Sequence, residues 1–113
     1  MIQNKFQFIG RLTKDVVYMA GNENKSSYAY FDIAVDKNKE ETDFVHLVAF
    51  SGTADFISKY TSKGTLIAVE GRVDFSREVE IVTQNGTSKI VIPSFVVEDV
   101  RSLAKPYQPT EEA

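Results

Sequence analysis

Apolar and polar residues alternate along five segments of the chain, and this period of two predicts five β-strands. In the second segment, Ala29, Phe31 and Ile33 fall on one face, and Tyr28 and Tyr30 fall on the other. The other segments show the same alternation or are rich in β-branched and aromatic residues. The predicted strands are residues 5–12, 28–35, 43–50, 66–75 and 89–97.

The last two predicted strands are separated by the sequence QNGT at residues 84–87. Asn85-Gly86 is typical of a two-residue hairpin turn, because both residue types tolerate positive φ. We therefore expect the fourth and fifth strands to pair antiparallel as a long projecting hairpin.

A single helix is predicted between the third and fourth strands. Thr53 is a plausible N-cap, and Phe56, Ile57 and Tyr60 form an apolar stripe at helical spacing. Gly64 is expected just past the end of this helix.

This order of elements predicts an all-β fold: a five-stranded OB-fold barrel with one helix between strands 3 and 4 and a long hairpin of strands 4 and 5. We expect residues 1–103 to form this domain. Residues 104–113 lack periodicity, contain two prolines and end in acidic residues, so we expect a short flexible tail.

The third strand offers the best candidates for a binding site. One face carries Phe44, His46, Val48 and Phe50, and the face that suits a barrel interior carries Val45, Leu47 and Ala49. Exposed aromatic rings are typical of surfaces on which nucleic-acid bases stack. The alternative is that Phe44 and Phe50 pack under a loop or at a subunit interface.

Three further aromatic residues are candidates for stacking. Tyr28 and Tyr30 lie on the polar face of the second strand, where packing at the edge of the core is the alternative. Phe75 stands at the root of the predicted hairpin, where it could stack on a base or pack the hairpin.

Basic residues on the strands and their loops are candidates for phosphate contacts, although any one of them could be an ordinary solvated charge. Arg72 stands out because it lies inside a strand beside Gly71. The polar candidates are Lys5, Arg11, Lys14, Lys37, Lys39, His46, Arg72, Arg77 and Lys89.

Composition limits the other classes of function. The net charge is −3, so composition alone does not indicate a nucleic-acid binder. The chain has no cysteine and one histidine, and no spacing resembles a metal site, a phosphate loop or a nucleophile motif. We therefore expect no metal, no cofactor and no enzymatic activity. No signal peptide or membrane-spanning run is visible, so we expect a soluble, cytoplasmic protein.

Four segments together resemble the bacterial-type single-stranded DNA-binding proteins. They are NKFQFIGRLTKD at residues 4–15, FDIAV at 31–35, TDFVHLVAF at 42–50 and KGTLIAVEGRV at 63–73, and residues 54–60 fit the family helix. The resemblance implies an OB-fold that binds and protects single-stranded DNA in replication, recombination and repair, without catalysis. It implies a homotetramer, with a dimer as the alternative, and replication or recombination proteins as partners.

The resemblance also assigns roles to residues. Phe44 and Phe50 match positions at which the family carries base-stacking Trp and Phe, and His46 matches a basic position that contacts DNA. Lys39 and Arg77 fall near two further stacking positions, yet this chain has no Trp. Family members usually end in an acidic tip with Pro-Phe, whereas this chain ends in TEEA. The short tail and the lack of Trp resemble a phage or mobile-element member of the family. A protein-interaction adaptor of a replication complex, with weak nucleic-acid binding, remains the alternative, and RNA remains an alternative ligand.

Overall fold

The structure is a computed structural model that describes residues 3–106. Within this range the chain forms eight strands and one helix. The strands are β1 Phe6–Leu12, β2 Val17–Met19, β3 Tyr28–Asp36, β4 Thr42–Phe50, β5 Leu66–Asp74, β6 Glu78–Thr83, β7 Gly86–Val91 and β8 Ser94–Ala104, and the helix is α1 Ser51–Tyr60.

Five of the strands close into a barrel. The order is β1-β5-β8-β4-β3, and β1 also pairs with β3, so the sheet returns to its first strand. β4 and β8 run parallel, and the other barrel pairs are antiparallel. The short strand β2 adds to the edge of β3. This architecture confirms the predicted five-stranded OB-fold, with α1 between its third and fourth strands.

The interior of the barrel follows from the alternation along the strands. Phe31 and Ile33 of β3 are at most 1% exposed, and Leu47 and Ala49 of β4 are at most 3% exposed. Residues of this kind from β1, β5 and β8 complete the same core, because each strand turns every second side chain inward. The aromatic rings of Phe6, Phe8 and Phe95 pack together at 5.3–5.5 Å between centroids.

Helix α1 begins three residues earlier than predicted. Phe50 is its N-cap, without a side-chain hydrogen bond, and Thr53 lies inside the helix, so the prediction of Thr53 as the N-cap was wrong. The helix ends at Tyr60, and Gly64 belongs to a separate turn whose N–H donates to the carbonyl of Leu12 at 2.8 Å. Strand β4 passes into α1 without a connecting loop, because Ser51 turns the chain with a φ of 54°.

The predicted closing hairpin is divided into two parts. Strands β6 and β7 form a separate two-stranded ribbon, and β5 pairs with β8 rather than with one continuous strand over residues 89–97. The interruption falls at Ile92 and Pro93, because proline has no N–H to donate to a ladder. Gly86 alone supplies the positive φ at the ribbon turn, at 118°.

The final strand is longer than predicted. β8 continues to Ala104, one residue beyond the predicted end of the domain. Most of the predicted tail, residues 107–113, lies outside the described residues, so its flexibility stays a prediction. Within residues 3–106, the helix is too short to cross a membrane.

Gly71 permits the close approach of β5 to β8. The register of this pair shifts between Glu70 and Gly71, which indicates a β-bulge. A Cβ atom built on Gly71 would lie 1.9 Å from the carbonyl oxygen of Val96, which is part of the backbone of β8. A side chain at this position therefore forces the two strands apart.

We expect Gly71→Ala to lower the free energy of unfolding by about 1–3 kcal/mol, because the added methyl group overpacks the β5–β8 pair. Urea denaturation monitored by circular dichroism measures this change. Gly52→Ala is the matched control: nothing lies within 4 Å of its Cβ position in α1, so this variant should be neutral or slightly more stable. Equal stability of the two variants would contradict the prediction.

Candidate nucleic-acid interface

A groove of about 670 Å³ crosses the outer surface of β3 and β4 and ends at the root of the ribbon. One wall carries aromatic side chains and the other carries arginines. It is lined by Tyr28, Tyr30, His46, Leu47, Val48, Phe50, Arg72, Asp74, Arg77, Ile92, Pro93, Ser94, Phe95 and Val96.

The register of β3 and β4 brings the aromatic residues of the groove together. Tyr28 lies opposite Phe50, and Tyr30 lies opposite Val48. The rings of Tyr28 and Tyr30 meet edge to face at 5.4 Å between centroids. Tyr30 is 52% exposed and Phe50 is 47% exposed, so both rings are accessible to a ligand.

Phe44 lies on the same face of β4 as Phe50 but outside the groove lining. It is 65% exposed, so no loop within residues 3–106 covers it. Phe75 follows β5 at the root of the ribbon and is 61% exposed. Both rings are therefore available to extend a stacking surface beyond the two ends of the groove.

Three of the predicted polar residues line the groove. Arg72 projects from β5, Arg77 stands at the start of the ribbon, and His46 projects from β4. Asp74 lines it as well, and its carboxylate accepts hydrogen bonds from the Ser76 hydroxyl at 2.7 Å. With a neutral imidazole, the formal charge of the lining is +1, although the whole chain carries −3.

Two other predicted lysines pair with acidic neighbours outside the groove lining. Lys5 pairs with Glu70 at 3.3 Å, and Lys37 pairs with Glu41 at 3.6 Å. Each of these ion pairs lies at the surface, where such pairs contribute little to stability. Both side chains therefore remain free to exchange a carboxylate for a phosphate.

Lys39 and Lys89 occupy protruding segments. Lys39 lies in the loop between β3 and β4, and Lys89 lies on β7 opposite Glu80. The structure does not bring either residue into the groove lining.

Arg11 has hydrogen-bond partners within the fold. Its guanidinium donates to the carbonyl of Gly64 at 2.8 Å and to that of Lys105 at 3.4 Å. It therefore ties β1 to the turn after the helix and to the end of β8. A phosphate contact of Arg11 stays a prediction.

Asp32 connects two of the predicted cations. Its Oδ1 lies 2.6 Å from Nδ1 of His46, which is its cross-strand partner, and its Oδ2 lies 3.9 Å from Nζ of Lys14. The structure thus places Lys14 beside the groove through a carboxylate that the sequence analysis did not select.

The end of β4 is held by a hydrogen-bond network. The Ser51 N–H donates to the Ser27 carbonyl at 2.8 Å, and the Ser27 hydroxyl donates to the Asp55 carboxylate at 2.7 Å. The Tyr18 hydroxyl donates to the same Asp55 oxygen at 2.6 Å. Because Ser51 directly follows Phe50, this network fixes the position at which the Phe50 ring enters the groove.

The network changes the acidity of two of its members. Hydrogen bonds from Tyr18 and then from Ser27 lower the pKa of the Asp55 carboxyl below its ordinary value. The hydrogen bond to Asp55 raises the pKa of the Tyr18 hydroxyl above its ordinary value. Both directions favour the charged carboxylate beside a protonated phenol.

Sequence reasoning missed several lining residues. Val48 and Val96 form the apolar floor between the two walls. Val48 was placed on the correct face but not selected as a site residue, and Val96 was missed because the parallel β4–β8 pairing was not predicted. Ile92 and Pro93 were placed inside a strand, although the proline was a signal for a break. Within residues 3–106, no group of His, Asp and Glu side chains is arranged to hold a metal ion.

Comparison with known proteins gives one consistent family. A model of the single-strand binding protein family matches residues 3–103. A single-stranded DNA-binding protein of Clostridium perfringens is 36% identical over 95 residues, which cover 81% of this chain and 63% of that protein. One from Onion yellows phytoplasma is 35% identical over 96 residues, covering 83% of this chain and 91% of that protein.

A third relative shows that some family members are considerably longer. Single-stranded DNA-binding protein 1 of Staphylococcus aureus is 34% identical over 106 residues, which cover 88% of this chain but only 60% of that protein. The chain therefore spans less than two thirds of the length of the Clostridium and Staphylococcus relatives.

The Asp55 network should make stability depend on acidity. Because the folded-state pKa of Asp55 is lowered, its contribution is present above the unfolded value of 3.8 and is lost as the pH falls through the folded value. Urea titrations at a series of pH values below about 5 measure this loss. Asp55→Asn should show a shallower acid loss than the unsubstituted chain. Identical acid limbs would contradict this prediction. Asp36→Asn is the control, because Asp36 is exposed at the end of β3.

Proposed function

The chain belongs to the single-strand binding protein family, and we propose that it binds and protects single-stranded DNA with little preference for sequence. The observation that supports this most directly is the groove in which exposed Tyr30 and Phe50 face Arg72 and Arg77. Stacking rings beside positive charges are what a flexible polyanion with flat bases requires.

The two walls of the groove divide the work of binding. Bases of any identity stack on Tyr30 and Phe50, because every base presents a π-face. Arg72 and Arg77 contact the phosphates, which all nucleotides share. Phe44 and Phe75 extend the stacking surface at the two ends. We retain Lys5, Arg11, Lys14, Lys37, Lys39 and Lys89 as lesser candidates for phosphate contacts.

Binding of this kind needs no chemical step. We therefore propose a non-enzymatic role in replication, recombination and repair, carried out in the cytoplasm. DNA rather than RNA is the proposed ligand, because the relatives are named for single-stranded DNA. The adaptor alternative is not favoured, since the groove has both parts that nucleic-acid binding requires.

We propose that the chain works as a homo-oligomer, with a tetramer favoured over a dimer. Strand β1 supports self-association. Its residues from Phe6 to Arg11 pair with β5 on one side, while only Arg11 and Leu12 pair with β3 on the other. This leaves a strand edge on which a second copy could pair, next to Ile9, which is 54% exposed. Partners among replication and recombination proteins belong to the same proposal.

Removing one stacking ring should weaken binding without changing its dependence on salt. We expect Phe44→Ala and Phe50→Ala each to cost about 1–3 kcal/mol of binding free energy, because one base loses its platform. Fluorescence anisotropy with labelled oligo-dT at several salt concentrations measures both quantities.

The control for this experiment is Tyr60→Ala, which removes a ring of similar exposure (60%) from the outer side of α1. It should leave the affinity unchanged. An equal loss in Phe44→Ala and Tyr60→Ala would argue against a stacking role, and circular dichroism confirms that each variant is folded.

Removing a phosphate contact should instead change the dependence of binding on salt. A plot of log K against log salt has a negative slope. We expect Arg72→Ala to make this slope shallower by about one unit, because one fewer counterion is released. Arg101→Ala is the matched control, since Arg101 lies on β8 beside Asp99 and does not line the groove. A slope that is the same in Arg72→Ala as in the unsubstituted chain would contradict a contact between Arg72 and phosphate.

A further inference from the structure

A carboxylate stands within the proposed binding face. Asp32 shares a face of β3 with Tyr28 and Tyr30, because these residues are two positions apart. Its side chain is 23% exposed, whereas that of its partner His46 is 84% exposed. An anion at this position opposes a polyanionic ligand, so its contacts need a physical explanation.

The formal charges of the cluster nearly cancel. The charges of Asp32 and Lys14 sum to zero, so the proton on His46 decides whether the three residues carry a net charge of zero or +1. The other charged groups that share the groove with His46 are Arg72, Arg77 and Asp74. They add a charge of +1, which attracts phosphate whether or not His46 is charged.

The hydrogen bond to Asp32 determines which nitrogen of His46 faces the ligand. Because Nδ1 lies 2.6 Å from the Asp32 carboxylate, it carries a hydrogen in both the neutral and the charged ring. Nε2 is therefore the atom left for a ligand. In the neutral ring Nε2 is an acceptor and cannot bind a phosphate oxygen, whereas in the charged ring it is a donor.

His46 also lies on the path of a bound strand. Along β4 it is two residues from Phe44 and four from Phe50, or about 7 Å and about 13 Å at the rise of a strand. A single strand that stacks on both rings must pass over the imidazole. Its phosphates then come within reach of Nε2.

We propose that Asp32 is a positioning residue that holds His46 so that binding of single-stranded DNA takes up a proton at the imidazole. This inference rests on the proposed function. The DNA phosphate favours the charged ring, and by linkage the charged ring favours the DNA. Affinity should therefore rise as the pH falls, because proton uptake and DNA binding reinforce each other.

Isothermal titration calorimetry with oligo-dT tests the coupling directly. At one pH near 7, titrations in two buffers of different ionisation enthalpy give the number of protons taken up per bound strand. We expect uptake for the unsubstituted chain and none attributable to this site for His46→Gln. The substitution should leave the fold intact, because the side chain is largely exposed.

Asp32→Asn separates positioning from simple repulsion. It should reduce the proton uptake, because the amide no longer favours the charged ring. Near pH 8 it should also bind DNA about three-fold more tightly, because a negative charge near the phosphates is lost. Asp36→Asn, four residues along the same strand, removes an equal charge and leaves the Asp32–His46 hydrogen bond in place, so its proton uptake should match the unsubstituted chain.

The experiment distinguishes failure of the proton-uptake inference from failure of the proposed function. Equal observed heats in the two buffers, which mean that no proton is taken up, or full proton uptake in His46→Gln would overturn the inference while leaving DNA binding established. Uptake that Asp36→Asn lowers as much as Asp32→Asn would assign the effect to net charge and also overturn it. Failure of the unsubstituted chain to bind oligo-dT would instead overturn the proposed function.

Discussion

The alternation of side chains along β3 and β4 is the constraint on which both the core and the binding face depend. In these two strands, every residue that packs inside the barrel is followed by one that faces the groove or the solvent. Phe31 and Leu47 are cross-strand partners in the core, and Tyr30 and Val48 are partners on the outside. A register slip of one residue would bury the tyrosines and expose the core, so the packing of the interior fixes the composition of the groove.

This constraint also explains which parts could be predicted from the sequence. The face that carries Phe44, His46 and Phe50 follows from the alternation of side chains alone, and the structure shows these residues exposed. The alternation does not determine which strands become neighbours in the sheet. The parallel pairing of β4 with β8 brings Val96 beside Val48, and strand β2 was not predicted, because its three residues are too few to show a period.

The other misses arose where local chemistry competed with a simple pattern. Thr53 was an attractive N-cap, but Ser51 turns the chain directly from strand to helix, and both of its backbone groups are bonded to Ser27. Asn85-Gly86 correctly indicated a reversal, yet Pro93 divided the following strand and so created a separate ribbon. Tertiary hydrogen bonds and a missing N–H therefore decided the boundaries, while periodicity decided the faces.

The acidic net charge is compatible with the groove because the charges are segregated. Glu98 and Asp99 line a different hollow, next to Phe56 of the helix, and Glu41 is paired in the loop between β3 and β4. Electrostatic attraction falls within about a Debye length, roughly 8 Å at physiological salt, so distant carboxylates are screened from a bound strand. Asp74 lines the groove itself. Asp32 is a second exception, since it bonds to the groove residue His46. Its hydrogen bond to His46 converts a local repulsion into a means by which the binding face can acquire positive charge when phosphate arrives.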